Sequence, residues 1–429
     1  MNKCSLKFSV SNLVILFLCV NCTQPVKKVE VEEEGFREID IMANIANTQN
    51  INLSTIASSI DYCILETDKK CLIPGKTGIY CVGDYIVSMS ALPSSGDGGT
   101  GQSFCYVFER KTGKFVRQIS RVGQGPEDYQ MIRFVLDSDS GQICLLGNNK
   151  YLFFNLDGTL SHKISGLPFF GFTAYKEFYV AHITNGRGNA TIRVAFYDNK
   201  TGELVDSIPN YRTYQRPEGS SRQMQTDGWL HKFDNNLYYK DIYCDTLYQI
   251  KDFTLQPRYI FNTGGRTVPY EAQIEGRIDT RAAMAEREFD RWAKYIVVNR
   301  LFEDANNLYF EFEYNVKKYR GIYNKAENKT QIMPPVSLPL VYHERVRWDN
   351  LYGFENDLDG GLPFWPTQMV SDKEMMCVYS AEELLQLDAS KITDPNLKRV
   401  LGSLEEDSNP VVAIVTLKPL SFVPQANNP

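Results

Sequence analysis

The best candidate for metal chemistry in this 429-residue chain is the acidic segment Glu355-x-Asp357-x-Asp359-Gly360. Alternating carboxylates before a glycine turn supply the oxygen ligands that Ca²⁺ prefers, and the pattern is similar to the start of an EF-hand loop. A complete loop needs a bidentate Glu at its twelfth position, which here is Pro366. The segment is therefore predicted as a candidate calcium site, with a hydrated acidic turn as the alternative. No other cofactor is predicted.

Aromatic side chains concentrate near predicted loops in the same part of the chain. Trp348, Tyr352 and Trp365 could stack on a sugar or grip a peptide if they line an exposed face. Packing between sheets uses the same residue types, so both roles stay open. We carry these three residues forward as candidate ligand-binding residues.

The sequence assigns no catalytic residue. It has no Gly-x-Ser-x-Gly nucleophile elbow, so a serine hydrolase of that type is unsupported. The four histidines are scattered, with no two at metal-ligand spacing: His162, His182, His231 and His343. Whether the protein is an enzyme stays open at this point.

The N-terminus has the pattern of an export signal. Two early lysines precede the apolar run Leu13–Val20, which is too short to span a bilayer but suits a secretory signal. Cys22 follows and resembles the lipid-modified cysteine of bacterial lipoproteins, so residues 1–21 are predicted as a lipoprotein signal peptide. Ordinary cleavage near Cys22 is the alternative. Residues 22–37 are polar and Glu-rich, which predicts a flexible tether.

The composition limits the partners and the redox chemistry. The chain is 43% hydrophobic and 23% charged, which is ordinary for a globular protein. A formal net charge of −6 without a basic block argues against nucleic acid as a partner. Beyond Cys22 the number of cysteines is odd, and most of them lie within apolar strand patterns, which predicts small buried side chains.

The elements that must position these residues form a repeat. Three segments align with one another: YVFERKTGKFVRQI at Tyr106–Ile119, YLFFNLDGTLSHKI at Tyr151–Ile164 and AFYDNKTGELVDSI at Ala195–Ile208. Each is an apolar run, a polar turn with Gly, and a second run that ends in Ile. The period is about 44 residues, with two strands and a tight turn per unit, which is typical of a β-propeller blade.

We therefore predict an all-β fold, a six-bladed β-propeller over residues 38–420 with short helical insertions. The insertions are expected at about 280–294 and 381–404, where helix formers interrupt the β pattern. The last apolar run, Val411–Leu417, should close the ring by pairing with a strand near Ile39–Ala43 or Ile60–Leu65. Such pairing would tie the two ends of the chain together.

Four local strings carry a resemblance to a known family. Gly123–Tyr129 (GQGPEDY) lacks the Gly-Lys-Ser/Thr of a phosphate loop, so we interpret it as a strained turn between blades. It resembles the GxGPGEY turn of the six-bladed β-propeller lipoproteins of Bacteroidetes. Tyr243–Tyr248 with Pro257–Tyr259 resembles the DTIYRI…P-x-Y strand pair of that family. Asn356–Pro366 is similar to its acidic Gly-rich loop with a Trp-Pro end, and Asn409-Pro410 to its closing segment.

The resemblance covers almost the whole chain and departs at Glu127-Asp128, where the family more often has Gly-Glu. It implies an NHL- or TolB-like propeller in the cell envelope, as an outer-membrane lipoprotein that is periplasmic or surface-exposed. The molecular activity of the family is largely unassigned. The resemblance thus implies fold and location rather than chemistry.

Three functions stay open after the sequence analysis, and the third is a purely structural subunit of an outer-membrane complex, which predicts a large flat apolar patch on one face. The leading hypothesis is a lipid-anchored, extracytoplasmic binding or scaffold module for a glycan, peptide or partner protein. The alternative is a metal-assisted propeller hydrolase, lactonase or lyase with its site on the ring axis. The expected partners are the membrane, through the lipid anchor, and one such ligand, but not nucleic acid.

Overall fold

The structure is a computed structural model that describes residues 36–73, 78–90, 104–129, 131–137, 141–147, 150–167, 171–215, 227–270, 293–337, 352–390 and 392–419. The chain begins with short elements that later join other parts of the fold. They are β1 (Arg37–Asp40), α1 (Ile41–Asn44), a 3₁₀ turn (Leu53–Thr55) and β2 (Ala57–Ile64).

Three antiparallel, four-stranded sheets follow, in which each strand pairs with its neighbours in sequence. Blade 1 contains β3 (Gly78–Val82), β4 (Tyr85–Ser90), β5 (Phe104–Glu109) and β6 (Phe115–Gln118). Blade 2 contains β7 (Met131–Asp137), β8 (Gln142–Leu146), β9 (Tyr151–Asn155) and β10 (Leu160–Ile164). Blade 3 contains β11 (Phe172–Tyr175), β12 (Phe178–His182), β13 (Ile192–Asp198) and β14 (Leu204–Pro209).

The second half of the ring repeats this plan with additions. Blade 4 contains β15 (Gly228–Phe233), β16 (Asn236–Asp241), β17 (Thr246–Lys251) and β18 (Thr254–Asn262). Blade 5 contains β19 (Val297–Glu303), β20 (Asn307–Tyr314), β21 (Lys317–Asn324) and β22 (Lys329–Ile332), and β23 (Val336–Ser337) also pairs with β21. Blade 6 contains β24 (Gln368–Ser371), β25 (Glu374–Tyr379) and β26 (Val411–Leu417).

The two ends of the chain close the ring within blade 6. β2 is the fourth strand of that sheet and pairs antiparallel with β26, from Ala57 opposite Leu417 to Ile64 opposite Val411. This is the second of the two predicted pairings. β1, which contains the start of the other predicted partner, instead adds to the outer strand of blade 4 in parallel with β18.

The core is divided among the interfaces between blades. Each neighbouring pair of blades encloses its own cluster of buried apolar side chains, including the pair formed by blades 6 and 1. The aromatic and β-branched residues of the strands fill these clusters because such side chains pack well on pleated surfaces. Six interfaces that complete a circle confirm the predicted six-bladed β-propeller.

The aligned glycines have a shared structural reason. Gly113, Gly158 and Gly202 all have positive φ and lie in the last hairpin turn of blades 1, 2 and 3. Each turn rests against the outer strand end of the preceding blade, so a Cβ on Gly202 would lie 2.3 Å from the Ile164 side chain. The repeat therefore records contacts between blades as well as the turn within each blade.

Two short helices lie between β25 and β26. They are α2 (Ala381–Leu385), with a capping box between Ser380 and Glu383, and α3 (Pro395–Leu401). Most of the predicted helix over 280–294 lies outside the described residues. Within the described ranges, no helix combines the length and hydropathy that a membrane crossing needs.

Candidate functional site

An open depression lies between blades 1 and 6, where the ring closes. We call it the 1/6 groove, and its volume is about 790 Å³. The residues that line it are Asp61, Tyr62, Cys63, Asp84, Tyr85, Glu109, Arg110, Lys111, Glu374, Asn396, Arg399, Ile414 and Thr416. Pockets of this size suit small ligands or short polymer segments.

Three parts of the fold build the groove. The blade 6 sheet supplies residues from β2, β25 and β26, including Asp61, Glu374 and Thr416. Blade 1 supplies residues 84–85 and 109–111, which lie in or next to its β3–β4 and β5–β6 turns. Helix α3 supplies Asn396 and Arg399. Because β2 comes from the N-terminus and β26 from the C-terminus, the groove exists only once the ring has closed.

Some of the charged groups in the groove are already engaged. Arg110 Nη2 lies 2.6 Å from Glu374 Oε1, an ion pair that joins blade 1 to blade 6. Glu109 accepts a hydrogen bond from the Thr112 hydroxyl, and Arg399 donates to the Asn396 side chain over 2.8 Å. Asp61 and Asp84 are exposed, and their carboxylates have no ion-pair partner within the described part of the chain.

Cys63 and Tyr62, two buried residues that contribute to the lining of the groove, are neutral at physiological pH. Burial raises the pKa of Cys63 to about 11, with a smaller opposing effect from the Arg110 charge. Burial and the neighbouring Asp359 carboxylate raise the pKa of Tyr62 far above its usual range. The Tyr62 hydroxyl donates to Asp359 Oδ2 over 2.8 Å. Cys63 therefore lines the groove as an uncharged thiol rather than a nucleophile, whereas the Tyr62 side chain packs in the core between blades 5 and 6.

The three carboxylates of the predicted calcium site accept hydrogen bonds from three different residues. Glu355 accepts a hydrogen bond from the Asn50 side chain. Asp357 accepts from the Ser54 backbone N–H (2.9 Å) and hydroxyl (2.5 Å), and Asp359 accepts from Tyr62. In the described ranges, no three His, Cys, Asp or Glu side chains are grouped so that they could hold a metal ion. The calcium site stays a prediction.

The candidate aromatic residues lie in or beside the core between blades 5 and 6. Trp365 is only 2% exposed and stacks on Phe354 with ring centroids 5.6 Å apart. The Arg320 guanidinium lies between the rings of Tyr352 and Trp365, 4.1 and 5.0 Å from their centroids. In this arrangement Trp365 packs in the interior rather than presenting a face to a ligand. Trp348 and Cys22 lie outside the described residues.

The described histidines occupy separate places. His162 stacks on Phe153, and His231 lies 3.3 Å from Glu303. His182 Nε2 lies 2.5 Å from Asp227 Oδ1 between blades 3 and 4, and its buried Nδ1 has no hydrogen-bond partner among the described residues. His343 lies outside those residues. The His182 pair is therefore the closest approach of a histidine to a carboxylate in the described structure.

The GQGPEDY string forms a closed turn. Asp128 Oδ2 accepts the Gly125 N–H over 2.8 Å, and the Gly123 N–H donates to the Tyr129 carbonyl over 3.1 Å. A Cβ on Gly123 would lie 2.2 Å from Asp128 Oδ2. A smaller depression of about 450 Å³ lies beside the turn. The contacts agree with the interpretation of this string as a turn between blades.

Comparison with known families identifies the family of this chain. Residues 36–416 match a family described as "Domain of unknown function (DUF4934)". The chain belongs to the DUF4934 family. No curated protein matches it. The predicted lipoprotein class and the NHL- or TolB-like subgroup stay predictions.

The solved structures to which this DUF4934 chain is similar have low sequence identity to it. A Bacteroides fragilis protein, provisionally described as exported, has a TM-score of 0.62 and 16% identity, covering 90% of this chain and 100% of its own. A glutaminyl cyclase of Myxococcus xanthus has a TM-score of 0.30 and 10% identity over 70% and 100% of the two chains. The β-propeller domain of the Pyrococcus furiosus Trilobed protease has a TM-score of 0.27 and 9% identity, covering 60% of this chain and 83% of its own. At these identities the first match shows the fold alone.

Sequence reasoning missed the 1/6 groove of this DUF4934 protein. Most of its charged residues lie in or next to hairpin turns, on the outer strand β2 or on helix α3, and they form no recognisable sequence motif. The one available signal was the prediction that β26 closes the ring with a strand near residues 60–65. That pairing places Asp61 beside the turns of blade 1.

Proposed function

We propose that this DUF4934 protein is an extracytoplasmic, lipid-anchored binding module whose ligand occupies the 1/6 groove. The groove itself is the main support, because it is open, of ligand size, and lined by charged and polar side chains from two blades and a helix. The ligand belongs to the class of glycans, peptides or partner proteins.

The chemistry of the groove favours binding over covalent catalysis. Cys63 is buried with its pKa raised to about 11, so it is a thiol rather than a nucleophilic thiolate at neutral pH. Arg110 and Glu374 neutralise each other across the two blades. What remains exposed is a set of fixed charges and hydrogen-bonding groups that can orient a ligand.

Substitution of Thr416 by Trp tests the groove as the binding site. Thr416 is half-buried on β26 within the groove, so an indole there would fill the space that a ligand needs. Arrays of neutral oligosaccharides and of short peptides serve as probes for the mature chain. We expect every probe bound by the unsubstituted protein to lose binding in Thr416→Trp.

Thr254→Trp provides the matched control, because Thr254 is exposed on β18 of blade 4, away from the groove. It should leave binding unchanged. If Thr416→Trp keeps full binding while its thermal unfolding matches that of the control, the ligand lies elsewhere and the proposal is wrong.

The membrane anchor has its own test. We infer from the export-type N-terminus that Cys22 carries acyl chains, each buried methylene contributing about 0.8 kcal/mol to membrane binding. The likeness to a protein provisionally described as exported supports a location outside the cytoplasm. Cys22→Ala should move the protein from the membrane to the soluble fraction, and Cys19→Ala should not. Unchanged partitioning of Cys22→Ala would remove the lipoprotein class.

The catalytic alternative requires a metal on the ring axis. Such an enzyme would need at least three carboxylate, Asn or His side chains around the ion, and its activity would disappear on chelation. A screen for hydrolase, lactonase and lyase activity with and without EDTA would decide for it. Activity that EDTA abolishes and Thr416→Trp leaves intact would favour the enzyme.

A further inference from the structure

We infer that the 1/6 groove takes an extended peptide segment that carries lysine or arginine side chains. This inference rests on the proposed function and narrows its ligand class. The charge left free in the groove, the charge of the whole chain and the surface chemistry of the lining each support it.

The free charge in the groove is mainly negative. Four acidic and three basic side chains line it, and the Arg110–Glu374 ion pair of 2.6 Å removes one of each. Three carboxylates (Asp61, Asp84 and Glu109) and two cationic groups (Lys111 and Arg399) then remain, because the hydrogen bonds with Thr112 and Asn396 do not neutralise Glu109 or Arg399. Asp61 and Asp84 remain exposed without an ion-pair partner among the described residues. Two free carboxylates on opposite walls would hold cationic side chains spaced along a ligand.

The charge of the whole molecule acts in the same direction. The chain carries a formal net charge of −6. Such a field attracts cationic ligands and slows the approach of anionic ones, so it raises the association rate of a basic segment at low salt. An anionic polysaccharide or a phosphorylated ligand would meet the opposite effect.

The lining also favours a peptide over a neutral sugar. Sugars commonly bind on the face of an exposed aromatic ring, but Tyr62 is buried and its hydroxyl is engaged with Asp359. Tyr85 is only half-exposed. Side chains that both donate and accept, such as Asn396 and Thr416, can pair with the amide and carbonyl groups of an extended backbone. Lys111, exposed on the turn of blade 1, can meet the carbonyls or an acidic side chain of the same segment.

The experiment uses the mature chain from residue 22, with Cys22→Ser to prevent lipidation. The probes are short peptides in three matched sets, with Lys and Arg, Gln, or Glu at the same positions, and an array of neutral oligosaccharides. The test variant is the double substitution Asp61→Asn and Asp84→Asn. The control, Glu203→Gln with Glu327→Gln, removes the same charge from exposed turns of blades 3 and 5.

We expect the protein to prefer the Lys/Arg set, with affinity that falls as salt rises. The Asp61/Asp84 variant should lose about tenfold in affinity for that set, because two charge-assisted contacts disappear. The control should change it by less than about twofold. Thr416→Trp should abolish binding in every set.

Other results would overturn the inference in distinguishable ways. Preference for the Glu set would refute the basic peptide as the ligand. So would binding of oligosaccharides that is normal in the Asp61/Asp84 variant but lost in Thr416→Trp. In the second case the groove would remain the binding site. If the Asp61/Asp84 variant and the control lose the same affinity for the Lys/Arg set, the effect comes from the overall charge of the protein, and the basic peptide is again refuted as the ligand. Binding that survives Thr416→Trp would refute the proposed function itself.

Discussion

At the scale of single residues, buried charges lie where blades meet and are held by several partners. Glu303, at the end of β19, is fully buried between blades 4 and 5. Its carboxylate lies 2.7 Å from Lys325 Nζ and 3.3 Å from His231 Nε2, and it accepts the Tyr259 hydroxyl over 3.0 Å. A buried carboxylate is tolerated only when such partners replace its hydration.

Glu303 should make stability depend on acidity. Burial alone would raise its pKa, but the hydrogen bond from His231 and the charge of Lys325 outweigh burial, so the pKa lies below its ordinary value of 4.5. A carboxyl group with a lowered pKa in the folded state contributes stability above its unfolded pKa. That contribution is lost as the pH falls below about 4.5 through the folded pKa. Thermal unfolding followed from pH 7 to pH 3 measures this loss.

Glu303→Gln isolates the contribution of this carboxylate. At pH 7 it should lower the free energy of unfolding by about 3–5 kcal/mol, because Lys325 loses its buried counter-charge. Its stability should then fall less than that of the unsubstituted protein between pH 5 and pH 3. Glu327→Gln, at an exposed position in the same blade, should change neither quantity. Parallel pH profiles for Glu303→Gln and the unsubstituted chain would contradict the argument.

At the scale of elements, the hairpin turns of the repeat act as contacts between blades. The turn that ends blade 1 rests against the end of β2 in blade 6, where the Gly113 carbonyl accepts the Glu66 N–H over 2.8 Å. Gly113 has φ of +72°, and a Cβ there would lie 1.8 Å from the Ile64 carbonyl oxygen. Backbone atoms cannot move aside as a side chain can. This glycine is therefore required both by its conformation and by its neighbour.

Gly113→Ala should destabilise the protein through both effects. The left-handed conformation alone costs about 1–3 kcal/mol for a non-glycine residue, and the clash with Ile64 adds to it by pushing blade 1 away from blade 6. Gly83→Ala separates the two effects. Gly83 also has positive φ (+54°), but its Cβ would meet nothing within 4 Å. Chemical denaturation should show that Gly113→Ala loses more unfolding free energy than Gly83→Ala. Equal losses of unfolding free energy would mean that the contact between the blades does not contribute to stability.

The repeat explains why the fold could be predicted and the groove could not. The Gly and Ile positions recur every 44 residues or so because each blade must turn and then dock on its neighbour, and both demands leave a local trace in sequence. Asp61 and Asp84 leave no such trace. They come together only because β2 pairs with β26 in blade 6, and the paired residues are 347 (Ile64–Val411) to 360 (Ala57–Leu417) positions apart in the chain. Trp365 differs from these residues, because its type suggested ligand binding whereas in the structure it fills the core.

At the scale of the whole molecule, closure of the ring depends on one strand from the N-terminus. β26 reads VVAIVTL and has no charged residue. β2 covers its outer edge over the pairs from Ala57–Leu417 to Ile64–Val411. Without β2 this apolar strand becomes an open edge, which is a template for pairing with other chains. β1 and α1 instead cover the outer part of blades 4 and 5, so they contribute to packing but not to closure.

Truncation from the N-terminus should separate these roles. A chain that starts at Phe36 should keep the thermal stability of the mature protein. One that starts at Thr48 loses β1 and α1 and should stay monomeric with lower stability. One that starts at Glu66 loses β2 and should aggregate, as followed by size-exclusion chromatography.

A synthetic peptide with the sequence of residues 53–65, added during refolding, should restore the monomer by supplying the missing strand, whereas a scrambled peptide should not. A soluble Glu66 chain with unchanged unfolding would mean that β2 does not hold the ring closed, and the 1/6 groove would then lose the strand that forms one of its walls.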